Sequence, residues 1–112
     1  MAKRKPEFVE HLLDLLGPLG EVTARSMFGG WGFYLEGRMF ALVAFDTFFI
    51  KADDESREEF LARGLAPFRY EMRPGKFNEM SYYHPPTDAL DSSEALCEWA
   101  RKGVEAARRA GR

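Results

Sequence analysis

From Met39 to Phe45 the chain is apolar at every position: Met39, Ala41, Val43 and Phe45 alternate with Phe40, Leu42 and Ala44. Successive side chains of an extended strand point to opposite faces, so this strand is apolar on both. Such a strand belongs in the middle of a sheet, covered on two sides or meeting a partner. The stretch is far too short to span a bilayer. Its flanks predict hairpins. Glu36-Gly37 suits a two-residue turn before it, and Asp46-Thr47 turns the chain into a third strand, Phe48 to Lys51. Ahead of them a first strand is expected from about Val22 to Leu35, interrupted by Gly29-Gly30-Trp31-Gly32. Glycine within a strand marks a bulge or a close backbone approach.

Helical periodicity appears on either side of this sheet. Phe8, Val9, Leu12, Leu13 and Leu16 recur at three- and four-residue spacing, Pro6 suits a first helical position, and Gly17-Pro18 ends the run. A second helix is expected with Asp53 as its N-cap and Gly64 as its end, burying Phe60 and Leu61. Phe68 to Met72 and Glu79 to Tyr83 read as a hairpin turning at Pro74-Gly75, and Pro85-Pro86 blocks further pairing. Asp91-Ser92-Ser93-Glu94 reads as a capping box opening a last helix with Leu96, Trp99, Ala100, Val104 and Ala107 as its buried stripe. The order is α-β-β-β-α-β-β-α. Hairpin connections imply a two-layer α+β domain, with an antiparallel sheet of about five strands and helices on one face. The 112 residues suit one domain, 1–112.

Composition sets limits on partners. The formal charge of −2, with acidic and basic residues mixed, argues against a general nucleic-acid binder. Local exceptions are Lys3-Arg4-Lys5 at the start and Arg101, Lys102, Arg108, Arg109 and Arg112 near the end. A single cysteine, Cys97, rules out an internal disulfide and fits a reducing compartment. The basic N-terminus is followed by Pro6-Glu7 rather than an apolar run, so no signal peptide is expected and the expected location is the cytoplasm. Ten Phe residues supply much burial for a small core. The two-sided strand implies either a homodimer or a second face shielded by Trp31 and the terminal segments.

The segment Arg25-Ser26-Met27-Phe28-Gly29-Gly30-Trp31-Gly32-Phe33-Tyr34 resembles the signature of the TfoX/Sxy N-terminal domain, an arginine and a Met-Phe-Gly-Gly run followed by a hairpin. The resemblance continues through Gly37-Arg38-Met39-Phe40-Ala41 and Phe49-Ile50-Lys51. It resumes at Met80-Ser81-Tyr82-Tyr83, where Ser81 stands in place of the family's proline, and at Trp99. It implies helices on an antiparallel sheet, in a layout similar to type III secretion chaperones. It also implies a role in regulating competence, since the better-known members act with the cyclic-AMP receptor protein at promoters. Those regulators carry a further C-terminal helical domain. This chain reads as a stand-alone first domain.

The candidate interaction residues are Arg25, Met27, Phe28, Gly29, Gly30, Lys51, Tyr82 and Tyr83. Arginine and tyrosine combine buried area with polar reach, which suits a contact surface, and one of the two adjacent tyrosines is expected in the core. The glycine run is neither a dinucleotide fingerprint nor a Walker A loop. His11, His84 and Cys97 lack metal-ligand spacing, and no nucleophile has a base nearby in sequence. No cofactor or catalytic constellation is expected. The function expected is a non-enzymatic regulatory or protein-interaction module, with transcription machinery or its activator as the partner the resemblance implies. Two alternatives stand beside it: a nucleic-acid-associated factor using the basic termini, and a small-ligand sensor at the Gly29-Gly30 bulge.

Overall fold

A computed structural model of the chain describes residues 5–27 and 29–111. Three helices, α1 (Glu7–Leu15), α2 (Arg57–Ala62) and α3 (Ser93–Ala110), accompany six strands. The strands are β1 (Thr23–Met27), β2 (Gly30–Leu35), β3 (Arg38–Ala44), β4 (Thr47–Lys51), β5 (Pro67–Arg73) and β6 (Lys76–Tyr83). They form one antiparallel sheet in the order β1-β2-β3-β4-β6-β5, so the two-sided apolar strand β3 is interior as its sequence requires.

The sixth strand comes from the glycine run. Residues 22–35 were expected as one strand with a bulge at Gly29-Gly30, but Met27 pairs with Gly30 and the chain reverses between them. Gly29 sits at φ 80, a left-handed conformation that glycine adopts without steric cost. The bulge lies elsewhere. Phe33 pairs with Ala41 and Tyr34 with Met39, so Phe40 is an extra residue in β3, and both Phe40 and Ala41 join the core.

Two further expectations shift by a few residues. The turn after β3 is Phe45-Asp46, with φ 52 and 57, rather than Asp46-Thr47, and Thr47 already pairs with Ala44. Asp53 does not cap α2 itself. Its Oδ1 accepts from the N–H groups of Glu55 and Ser56 in a preceding turn, and α2 begins at Arg57. At α3 the N-cap is Ser92, whose Oγ accepts from the Ala95 N–H at 3.2 Å. The residue three places on is then Ala95, so the reciprocal half of a capping box has no side chain to form it.

All three helices pack on one face of the sheet. Val9 and Leu12 of α1, Phe60 of α2 and Leu96, Ala100 and Val104 of α3 share a core with Phe33, Phe40, Phe48 and Ile50. Phe33 and Phe48 meet edge to face at 5.4 Å, a favoured aromatic geometry. Gly103 lets α3 approach the sheet closely, because a Cβ there would lie 2.5 Å from the Phe40 carbonyl oxygen. The end of α1 is tied to α3, where the Ser93 hydroxyl donates to the Leu15 carbonyl at 2.6 Å. Cys97 is buried and its thiol donates to the same oxygen, the behaviour of a small structural hydrophobe. No helix among the described residues is long and apolar enough to cross a membrane.

Candidate functional site: the helix-free face of the sheet

The register assigns side chains to the second face without ambiguity. Met27 lies opposite Gly30, Arg25 opposite Gly32, Gly32 opposite Leu42, Leu42 opposite Phe49, and Lys51 opposite Tyr82. None of these positions faces a helix. Leu42, Phe49, Phe68 and Tyr82 form a separate apolar cluster, flanked by Met39, Ala44, Tyr70 and Met80. Trp31, expected as a possible shield for this face, belongs to the helix-side core instead.

A bend in the β5–β6 hairpin turns this face into a groove. Pro67 pairs with Tyr83 but the next residue, Phe68, pairs with Met80, so Ser81 and Tyr82 have no counterpart on β5. Unequal strand lengths bend a ladder and raise its twist. The hairpin thereby brings Phe68 over β4, its ring centroid 4.7 Å from that of Phe49. Between the hairpin and β2–β3 lies a cleft of about 540 Å³, lined chiefly by Met27, Met39, Leu42, Phe68, Tyr70 and Met80. Methionine is flexible and polarizable, and a methionine-lined surface adapts to varied apolar shapes.

Gly32 is buried beneath two of the lining residues. A Cβ at this position would meet the Sδ atoms of Met27 and Met39 at 2.8 and 2.9 Å, so both thioethers fold inward over the space the glycine leaves. At the rim stands Phe45, 82% exposed and 6.4 Å from Phe68. A bulky residue in the left-handed region is uncommon and carries a conformational cost. Here the fold holds a large aromatic ring in solvent, in a backbone conformation better suited to Asn or Gly.

The polar component of the face is basic and aromatic. The Arg25 guanidinium carbon lies 5.0 Å from the Tyr34 ring centroid, and Lys51 Nζ lies 5.4 Å from that of Tyr82. Neither cation is within ion-pair distance of a carboxylate among the described residues. Burial, with a smaller contribution from the neighbouring Tyr34, pushes the Tyr82 hydroxyl up to about 12.

Of the residues singled out in sequence, Arg25, Met27, Gly30, Lys51 and Tyr82 share this face, with Gly29 at its hairpin end. Tyr83 does not. It points the other way and stacks on Phe60 at 5.4 Å, the core member of the tyrosine pair. Phe28 lies outside the described residues, as do Lys3, Arg4 and Arg112. Sequence reasoning missed Phe45, Phe68, Tyr34 and Met80. Alternation along β3 signalled a second apolar face, but the bend that assembles it depends on a register shift that no local motif announces.

The C-terminal basic residues are largely committed elsewhere. Lys102 pairs with Glu59, Arg108 with Glu36, and Arg109 with both Asp53 and Glu55. That leaves little uncompensated charge on α3 for a phosphate backbone. Among the described residues no group of three or more His, Cys, Asp or Glu side chains is placed to hold a metal ion. His84 packs against Phe49 at 4.6 Å, and burial lowers its affinity for a proton.

A family model described as the TfoX N-terminal domain matches residues 14–107, a span that contains the whole sheet and nearly all of α3. No curated protein matches the chain at a significant level.

Proposed function

We propose that this chain, which belongs to the TfoX N-terminal domain family, is a non-enzymatic regulatory module that binds another protein through the helix-free face of its sheet. Transcription machinery, or an activator bound to it, is the partner class that the family's regulatory members favour. The observation that carries this reading is the apolar groove with Phe45 at its rim, 82% exposed in a left-handed backbone. Interface hot spots concentrate in aromatic and arginine side chains around apolar pockets; Phe45, Phe68 and Tyr70 line this one, and Arg25 with Tyr34 shares its face. Strained backbone persists where the surrounding structure over-determines it, and it clusters at functional sites.

Photo-cross-linking tests the reading. Phe45→p-benzoylphenylalanine keeps an aromatic ring at the rim and reacts only with what touches it. The same group at Glu98, exposed on α3, is the control. An adduct with one protein at position 45, absent at position 98, and then reproduced with that protein purified, supports the proposal. Equal labelling at both positions counts against it.

A small-ligand reading has one observation in its favour, since about 540 Å³ falls within the range of small-molecule sites. A ligand that binds only the folded state must raise the melting temperature, so a thermal-shift screen of metabolites examines it directly.

A further inference from the structure

The charges on the helix-free face define what it can take. Strands β1 to β4 place two ionised side chains there, Arg25 and Lys51, and both are cationic. Each lies over a tyrosine ring rather than beside a carboxylate. A guanidinium over an aromatic face, with no carboxylate beside it, leaves its N–H donors available to a carboxylate from outside. Arg25 is exposed and Lys51 half-buried. The two stand on β1 and β4, three interstrand steps apart, and Lys51 is two residues along β4 from Phe49, which shares the row of Arg25, so their backbones are roughly 16 Å apart at the usual strand dimensions. Between them lie Gly32, Tyr34, Met39 and Leu42, apolar apart from one hydroxyl, and the methionine-lined groove opens beside them.

Resting on the protein-interaction reading above, we infer that the occupant of this face is an acidic-flanked apolar segment of a partner protein. Its aliphatic or aromatic side chains enter the groove against Met39, Leu42 and Met80, and a carboxylate on either side meets Arg25 and Lys51. The separation of the two strand positions matches about five residues of extended chain. A second copy of this chain does not satisfy the same face by two-fold symmetry. An isologous contact sets like patch against like patch, bringing two basic pairs together over one apolar surface. Like charges opposed across an interface are strongly unfavourable.

Selection of random peptides displayed on phage against the immobilised intact domain tests the inference, followed by affinity measurement with the selected peptides as synthetic probes. The expected consensus is a short aliphatic or aromatic run with Asp or Glu on both sides. Binding should weaken at least tenfold in Arg25→Gln/Lys51→Gln, and should weaken as salt screens the pairs. Circular dichroism of the variant confirms the fold. Peptides that bind at the groove, are lost in Phe45→Asn, yet carry no acidic residues and ignore Arg25→Gln/Lys51→Gln would overturn this inference while leaving the interaction reading intact. Selected peptides that ignore both variants would overturn the interaction reading itself, and so would failure to enrich any peptide over a scrambled control. Association of the domain with itself, abolished by Phe45→Asn, would replace the partner segment with a second copy.

Discussion

The rings of Phe49 and Phe68 lie 4.7 Å apart although strand β6 runs between their own strands. The contact is possible only because the β5–β6 ladder slips between Pro67 and Phe68 and bends the hairpin over the sheet. The hairpin is otherwise held at its base, where β4 pairs with β6 at Ile50–Tyr83 and Lys51–Tyr82 and Ala52 and Ser81 exchange hydrogen bonds of 2.8 and 2.7 Å. Phe68→Ala should therefore cost about 3 kcal/mol, the range for removing a buried aromatic. The loss should be uneven, because segments with few buried contacts open locally before the whole domain does. Amide exchange should accelerate in residues 69–80 far more than in α1 or α3. Uniform acceleration across the domain would show that the hairpin is an integral part of one cooperative unit.

Two glycines give opposite expectations for the same substitution. In a helix interior Gly→Ala ordinarily stabilises by about 1 kcal/mol. Gly103→Ala should do the reverse, because its Cβ meets the Phe40 carbonyl oxygen and the Ile50 side chain and forces α3 off the sheet. A loss of about 2–3 kcal/mol is expected, typical of overpacking. Gly32→Ala meets the mobile ends of Met27 and Met39 at under 3 Å and the Tyr34 ring edge at 3.1 Å, all side-chain atoms, so thermal unfolding should shift by less than about 1 kcal/mol. Its effect should fall on binding, since the displaced thioethers move into the groove. Comparison of melting curves for the two variants checks the pair. Equal destabilisation would mean that the helix-free face is as tightly packed as the helix–sheet layer.

The Asp53–Arg109 pair sets an acid limit on stability. Arg109 donates through Nε and a terminal nitrogen at 2.6 and 2.9 Å. This fork lowers the carboxyl well below the usual aspartate range, against a partial desolvation that acts the other way. A carboxyl lowered on folding contributes stability above its unfolded value, near pH 3.9, and loses it as the pH falls further. Asp53→Asn retains an acceptor for the backbone N–H groups and loses the charge. It should cost about 1 kcal/mol at pH 7, modest because both side chains are partly solvated. Urea unfolding at pH 7 and pH 3 measures the difference, which should shrink at the lower pH. A difference independent of pH would show that the ion pair contributes nothing to stability.

Much of this fold is legible in local patterns. The two-sided apolar run of β3, the stop at Gly17-Pro18 and the turn at Pro74-Gly75 follow from residue chemistry and stand as expected. Asp53 and Asp91 read as caps because short carboxylates favour helix starts. The structure uses Ser92 for the last helix and commits Asp53 to Arg109, a residue 56 positions away. The Gly29-Gly30 run was ambiguous in principle, since a bulge and a two-residue reversal both call for glycine. The Phe45-Asp46 turn carries none of the Asn-Gly chemistry that announces such turns, so its position shifted by one. The groove was legible only as an unpartnered apolar face. Its third wall comes from a long-range register slip.

Phe45 separates stability from function. At φ 52 a phenylalanine is strained and asparagine is tolerated, while the ring's 82% exposure means that little burial is lost. Phe45→Asn should raise stability by about 0.5–1 kcal/mol in chemical denaturation, the value of relieving a left-handed bulky residue. Destabilisation instead would show that the contact with Phe68 outweighs the backbone strain.

Whether the helix-free face is the contact surface is decided by the affinity of the cross-linked partner, purified, for the wild-type domain and for Phe45→Asn, measured by titration calorimetry. With the fold intact or firmer, removal of a rim aromatic from the true contact surface should weaken binding at least tenfold, the loss of a hot spot of about 1.4 kcal/mol or more. Undiminished affinity in a variant that unfolds no earlier than the wild type would place the contact elsewhere and contradict the assignment of the helix-free face.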